Sequence, residues 1–502
     1  MGSLTDYLDK GASLGRDAPC LVEGERSLSY GEVQDLSYRV AGALAREGIA
    51  PGAKVGILSA NNAVAFACVF GIARRGAVWC PINPRNELAE TRALLELFDC
   101  ECLIHHPAYA PMAEQFDVRV KVSLDALEGW LGEPGGAAGL VDDLAMLVGT
   151  GGTTGLPKGV MLTSRNLETM TALTLMGYPF EGRPAYLALA PLTHAAGVLC
   201  FPVMTQGGRI VVLPKPDVGA FIAAIERERI THTFLPPTLI YMLLGHEALD
   251  AADLSSLQCF WYGAAPMSTA RLEEALTRIG PVMAQLFGQT EAPMMVSMLP
   301  PAEHFRPDGS IATERLASAG RPSPLTTVAI MDPETGALLG AGERGEIVVR
   351  GSLVMAGYYN KDPEATRAAS THGWHHTGDV GYLDEDGYLF IVDRLKDMII
   401  TGGFNVYSAE VEQALLAHPA VRDCAVVGLP DDKWGERVTA VIEAGADVQP
   451  DELAAFVKAR IGSVKAPKQI ELWPELPRSR VGKVLKGDVR AQLLGSSTDT
   501  AS

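Results

Sequence analysis

Apolar positions follow two rhythms along the chain. From residue 50 to about 290, short apolar runs suited to buried strands alternate with longer stretches of helical period. The run 55–58 leads to a helical stretch at 63–75, and the run 77–80 leads to another at 88–97. The same alternation returns with 185–190, 210–213, 221–229, 231–235, 259–262 and 268–279. Strands alternating with helices predict parallel sheets covered by helices, and the two stretches predict two related sheet regions in one α/β fold. Past Ala319 the texture becomes β-rich with turn punctuation: runs at 328–331, 346–350 and 382–383, then an Asp386-Gly387 turn and a run at 388–392. That pattern predicts a small antiparallel β unit. The 106 residues after Lys396 form a final α+β stretch, long enough for a small domain of its own.

Composition narrows the class. The 502 residues are 47% hydrophobic and 20% charged, as a folded chain requires, and the length suits several domain-sized units. A net charge of −18 repels phosphate backbones and anionic lipid, so nucleic acid is excluded as a partner. The start carries no basic segment followed by an apolar one, and the longest apolar run, 63–73, is too short for the roughly 20 residues of a membrane span. A cytoplasmic protein is expected. Eight scattered cysteines, several inside apolar runs, imply reduced core residues. Cys100 and Cys102 beside His105 and His106 lack the spacing of a zinc site and read as a strand next to a loop.

One segment stands out chemically. After the apolar run 144–148, residues 149–159 hold five glycines, three threonines and Lys158, and a helix is expected near 164–175. Glycines allow close backbone approach, while amides, hydroxyls and an ammonium donate to oxygens, so a strand feeding this loop into a helix predicts a phosphate-wrapping site. No Gly-Lys-Ser/Thr closes it, which separates it from the P-loop of kinases and GTPases.

The loop resembles the signature loop of the adenylate-forming superfamily, which holds acyl-CoA synthetases, nonribosomal adenylation domains and firefly luciferases. Further segments carry the likeness in the family order: Tyr262-Gly263-Ala264-Ala265-Pro266, Gln285-Leu286-Phe287-Gly288-Gln289-Thr290-Glu291, Trp374-His375-His376-Thr377-Gly378-Asp379, Asp393-Arg394-Leu395-Lys396-Asp397, and Pro477-Arg478-Ser479-Arg480-Val481-Gly482-Lys483. The motifs run from about 149 to 486, and the chain resembles acyl-CoA synthetases most. The likeness implies joining of a carboxylate to the α-phosphate of ATP, loss of pyrophosphate, and passage of the acyl group to the thiol of CoA. A carrier-protein phosphopantetheine is the alternative acceptor, and an adenylate-binding protein without turnover is the alternative outside enzymology.

The resemblance also implies roles. Thr150, Gly151, Gly152, Thr153, Thr154, Gly155 and Lys158 would wrap the phosphates, and Glu291, beside Thr290, would hold Mg²⁺ on them. Gly263, Ala264, Ala265, Phe287 and Gly288 would bound the nucleotide, with Phe287 offering a ring face to adenine. Asp379 and Arg394 would meet the ribose. Lys483 would bridge carboxylate and α-phosphate, and it stands with Arg478, Arg480 and Lys486 in a basic cluster that contrasts with the acidic chain. His194, Ala195, Ala196, Gly197, Tyr262, Gly263 and Met294 would line an acyl pocket. No acid follows His194 where relatives that activate amino acids place an aspartate, so an aromatic, fatty, alicyclic or polycyclic acid is expected. Gly151 replaces the usual Ser, removing one hydroxyl. The implied organisation is a domain at 1–394, a hinge at 395–397 turning on Lys396, a mobile domain at 398–494 with Gly402 and Gly403 along the thiol channel, and a disordered tail at 495–502. The protein is expected to act as a monomer or homodimer.

Overall fold

The computed structural model describes residues 2–150, 158–359, 363–478 and 484–498. Four sheets are built by the described residues. In the first, seven strands run in the order Gly357–Tyr358, Lys158–Thr163, Leu144–Thr150, Val78–Ile82, Lys54–Leu58, Cys100–His105 and Val120–Ser123. Pairing is parallel from Leu144–Thr150 onward and antiparallel at the other edge. The second sheet has nine strands, parallel from Met283–Gln289 through Cys259–Gly263, His232–Leu235, Ala185–Ala188 and Arg209–Val212 to Pro19–Glu23, with antiparallel strands at both edges. Both predicted parallel regions are therefore present.

The helix Ala63–Arg74 shows why the two regions form one body. All of its residues are buried, which an all-round apolar helix requires, and Asn62 caps it by accepting from the Ala65 amide at 2.9 Å. One continuous core joins it to residues of both sheets, among them Val55 and Trp79 of the first and Tyr186 and Trp261 of the second. The chain's first fifty residues, which carried no prediction, supply the helices Thr5–Leu14 and Tyr30–Arg46 and a hairpin whose strand Pro19–Glu23 pairs with Arg209–Val212.

The antiparallel unit is the third sheet: Thr327–Met331, Gly345–Arg350, His375–Leu383 and Leu389–Arg394. The α+β unit after Lys396 carries the fourth, a five-stranded sheet built on the long pair Val421–Asp431 and Gly435–Ala444, with its own core around Val411, Leu415 and Ile442. The last helix runs Lys486–Thr498 and so takes in the first residues of the expected tail; residues 499–502 lie outside the described ones. No helix among the described residues is long and apolar enough to cross a membrane. Cys100 and Cys102 lie buried on a strand, and no group of three or more metal-ligating side chains occurs among the described residues.

One prediction needs correcting. The glycine-rich loop does not feed a helix: it joins two antiparallel strands, Leu144–Thr150 and Lys158–Thr163. Val160 and Leu162 alternate into the core, which is strand period, and the helix Ser164–Gly177 starts only afterwards. Thr163 and Asn166 close that helix with a reciprocal capping box, so its amide-rich end is satisfied a full strand away from the loop.

Candidate active site

Two hairpins and one short strand converge. In the first hairpin the last pair is Thr150 opposite Lys158, flanking the loop. A Cβ on Gly149, just before it, would lie 2.5 Å from Leu94 Cδ2, so Leu94 would have to shift. Gly151, Gly152, Thr153, Thr154, Gly155 and Lys483 lie outside the described residues, as does Arg480. In the second hairpin, Met283–Gln289 returns as Ala292–Leu299 with Thr290 and Glu291 in the turn. A side chain at Gly288 would place Cβ 2.4 Å from the Met294 amide nitrogen. Met294 itself has φ +62° and Ala264 has φ +66°, left-handed conformations that cost a non-glycine residue about 1–3 kcal/mol and concentrate at functional sites.

The strand Gly357–Tyr358 ties the two hairpins together. It pairs with Lys158–Thr163, while the Met355 amide donates to the Glu291 carbonyl at 2.8 Å. Tyr358 Oη donates to Glu291 Oε1 at 2.9 Å, and Lys158 Nζ lies 4.8 Å from the centre of the Tyr358 ring. Burial, reinforced by the Glu291 charge, pushes the Tyr358 phenol well above its ordinary pKa, so it stays a donor. No Lys, Arg or His among the described residues forms an ion pair with Glu291.

A second constellation begins two residues earlier. Asp379 is buried opposite Arg394 in the third sheet, with Arg394 Nε 2.7 Å from Asp379 Oδ1. Gln289 Nε2 donates to Asp379 Oδ2 at 3.1 Å and to the Thr377 carbonyl at 2.8 Å, and Gln289 Oε1 accepts from His375 Nε2 at 3.2 Å. Burial lowers the His375 pKa, so a neutral ring donates through Nε2. Sequence reading passed over Gln289, His375 and Tyr358, although the first two sat inside matched motifs. Phe287 is half-buried, packed between the main core and the third sheet.

The segment expected to line the acyl pocket closes into the single helical turn Ala195–Val198. A Cβ on Gly197 would lie 2.0 Å from the Leu192 carbonyl, and Asn61, wholly buried, holds the segment by accepting from the Leu192 amide at 2.8 Å while donating to carbonyls at 189 and 190. Half-buried His194 meets Thr193 Oγ1 at 2.9 Å through Nδ1, and its desolvated surroundings lower its pKa to about 4. Ala196 is buried; the Ala195 side chain is outside the described residues. Beside Leu192 and Thr193 a cavity of about 20 Å³ opens, room for one water. Tyr262 is turned away from this face: its ring lies in the core on the far side of its strand, with Oη 2.9 Å from His304 Nε2. Gly263, next to it, would put a Cβ 2.4 Å from the Leu286 carbonyl, so Tyr262 and Gly263 meet this face by backbone alone. Ala265 is half-buried beside exposed Ala264.

Lys396 is exposed in the single turn Leu395–Asp397. Gly402 and Gly403, at φ +58° and +81°, form the two-residue turn between Ile399–Thr401 and Phe404–Val406, a conformation that itself calls for glycine.

Residues 8–359 match the AMP-binding enzyme family, and residues 410–483 match the AMP-binding enzyme C-terminal domain. The chain belongs to the AMP-binding enzymes. Among similar proteins, the medium/long-chain-fatty-acid–CoA ligase FadD8 of Mycobacterium tuberculosis is 37% identical over 95% of this chain and 88% of its own. A feruloyl-CoA synthase of an Amycolatopsis species is also 37% identical, over 95% and 96%. The solved amide bond synthetase McbA of Marinactinospora thermotolerans superposes with a TM-score of 0.89 at 32% identity, covering 98% of this chain and all of that one. Membership makes the chain an adenylate-forming enzyme, and Lys158, Glu291 and Tyr358 lie within the residues matched to the AMP-binding enzyme family.

Proposed function

We propose that the protein is an AMP-forming acid–thiol ligase that converts an apolar carboxylic acid to its acyl-CoA. The supporting observation is that one turn, Gln289 to Glu291, serves two charged ends at once. Gln289 fixes Asp379 beside Arg394, and Glu291 joins Tyr358 and Lys158 at the mouth of the glycine-rich loop. Asp379, held by donors on both oxygens, is an oriented acceptor for a sugar diol; the loop and Lys158 donate to phosphate oxygens. The residues also fit a divalent cation: Glu291 is a carboxylate with no cationic partner among the described residues, at the phosphate end. Mg²⁺ held there would neutralise charge on the transferring phosphates.

In the first half-reaction the substrate carboxylate oxygen attacks the α-phosphorus and pyrophosphate leaves. Lys483 spans the two anions as a point charge, since like charges otherwise repel. In the second, the CoA thiol sulfur attacks the acyl carbon and AMP leaves. Rotation at Lys396 withdraws Lys483 between the two steps and admits the thiol past Gly402 and Gly403. His194 adjusts the acyl end as a neutral ring.

The test is a panel of fatty and aromatic acids with ATP and Mg²⁺, offered CoA, a holo carrier protein or an amine. AMP together with acyl-CoA is the expected product pair. AMP formed only with carrier protein or amine overturns the CoA assignment, and no pyrophosphate exchange with any acid overturns the adenylation reading.

A further inference from the structure

We propose that Tyr358 is the positioning residue of the phosphate end, coupling the metal-binding carboxylate Glu291 to the loop lysine Lys158. The inference rests on the adenylation reading and gives a role to a residue that the reading left without one.

The backbone places Tyr358 at a junction. Its strand pairs with Lys158–Thr163, through Tyr358 opposite Val160, and the Tyr359 amide donates to the Gly159 carbonyl at 2.6 Å. From the other side, the Met355 amide donates to the Glu291 carbonyl at 2.8 Å. The Tyr358 amide is itself fixed by Thr366 Oγ1 at 2.9 Å. Both hairpins that carry phosphate-end residues are thus fastened to one five-residue stretch, 355–359, and Tyr358 is where side chains from each meet.

Its two ends act differently. The hydroxyl donates to Glu291 Oε1, fixing the carboxylate plane and directing the other oxygen to a cation; such outer donors are typically worth about 10- to 100-fold in metal affinity or activity. The ring face receives the Lys158 ammonium at 4.8 Å, which holds a flexible chain near the loop mouth before nucleotide arrives. Glu291 and Lys158 belong to different hairpins, and the Tyr358 side chain touches both, so the spacing between carboxylate and lysine is set by one rigid side chain.

The experiment compares wild type, Tyr358→Phe and Tyr358→Leu. Tyr358→Phe keeps the ring and removes the donor. The Mg²⁺ concentration for half-maximal pyrophosphate exchange should rise about tenfold and kcat of exchange should fall, with KM for the acid unchanged. By calorimetry, ATP affinity with Mg²⁺ should fall while ATP affinity in EDTA and AMP affinity hold. Tyr358→Leu, which also removes the ring, should weaken ATP binding in EDTA as well. Wild-type Mg²⁺ dependence and ATP affinity in Tyr358→Phe overturn the proposal. So does equal loss of AMP binding and of both half-reactions with a lowered Tm, the mark of a purely structural residue. Absence of exchange in the wild type counts against the adenylation reading instead, and the calorimetric comparison then still tests Tyr358.

Discussion

Asp393 and Ser408 grip each other across the turn Leu395–Asp397: the Ser408 amide and hydroxyl both donate to the Asp393 carboxylate, the hydroxyl at 3.0 and 2.8 Å from its two oxygens. Both residues are buried. Lys486 continues the network, donating to Ser408 Oγ and pairing with Glu412 at 2.8 Å. Burial alone would draw the Lys486 pKa down, but Glu412 and Asp393 outweigh it and raise the value, so the ammonium stays charged. The end of strand Leu389–Arg394 is thereby tied to the first helix of the small domain, Ser408–Leu416, and to the start of the last helix.

Removing one member of this network should cost more than removing a pair. Lys486→Met leaves Glu412, whose pKa burial already pushes up, without its cation. Breaking one side of a buried ion pair typically costs about 3–5 kcal/mol, whereas apolar replacement of both partners is close to neutral. Lys486→Met should therefore lower Tm by several degrees, and Lys486→Met with Glu412→Leu should recover most of the loss. Additive losses in the double variant would show that the pair does not couple.

Buried histidines set the acid limit of stability. His304 is fully buried; its Nδ1 lies 3.1 Å from the Pro300 carbonyl, which only accepts, so Nδ1 carries the proton and Nε2 accepts from Tyr262. His232 is likewise buried, 2.8 Å from the Pro179 carbonyl through Nε2. Burial lowers both pKa values to about 4. The unfolded chain, with an ordinary value near 6.5, then binds protons that the folded chain refuses. Each site contributes roughly 3 kcal/mol that is fully present above pH 6.5 and is lost as pH falls toward 4. Tm should fall steadily from pH 7 to pH 5, and the Tm gap between wild type and His304→Gln should narrow over the same range. A gap that stays constant would mean that His304 does not carry this dependence.

The elements legible in the sequence were those whose cause is local. The expected helix at 63–75 is Ala63–Arg74 and that at 88–97 is Leu88–Leu97, because the helical period is read within one contiguous stretch. The strand Lys158–Thr163 was missed because six residues wedged between a glycine loop and a capped helix leave little period to read. Pro19–Glu23 was missed for another reason: beside its hairpin neighbour Arg26–Ser29, the strand that joins it to the parallel sheet begins almost two hundred residues later, and nothing near it in sequence announces that pairing. The site divides the same way. Asp379, Arg394 and Glu291 stood in matched motifs, whereas Tyr358 lies 67 residues from the carboxylate it donates to, and a Gly-Tyr-Tyr run carries no mark of that partner.

Proline at position 396 tests the hinge. Proline holds φ near −65°, so any rotation that passes through another φ at this residue acquires a barrier. An added barrier of about 1.4 kcal/mol slows a step about tenfold. Lys396→Pro should therefore slow thioester formation about tenfold or more, with pyrophosphate exchange less affected. Single-turnover measurement of each half-reaction separates the two, and equal loss in both would remove position 396 from the motion.

The lysine at 483 gives the sharpest division between the half-reactions. In the proposed mechanism a cation between carboxylate and α-phosphate would be needed only while two anions approach each other. Once the acyl-adenylate exists, its mixed anhydride reacts with a thiol without that help. Removal of one preorganised group of this kind typically costs about 10²- to 10³-fold. Lys483→Ala should thus lose acyl-AMP formation by at least that factor while converting supplied acyl-AMP to thioester at close to the wild-type rate. Retention of ATP-driven activation in this variant would place the charge-bridging role on another residue, and loss of thioester formation from supplied acyl-AMP would assign Lys483 to the second step as well.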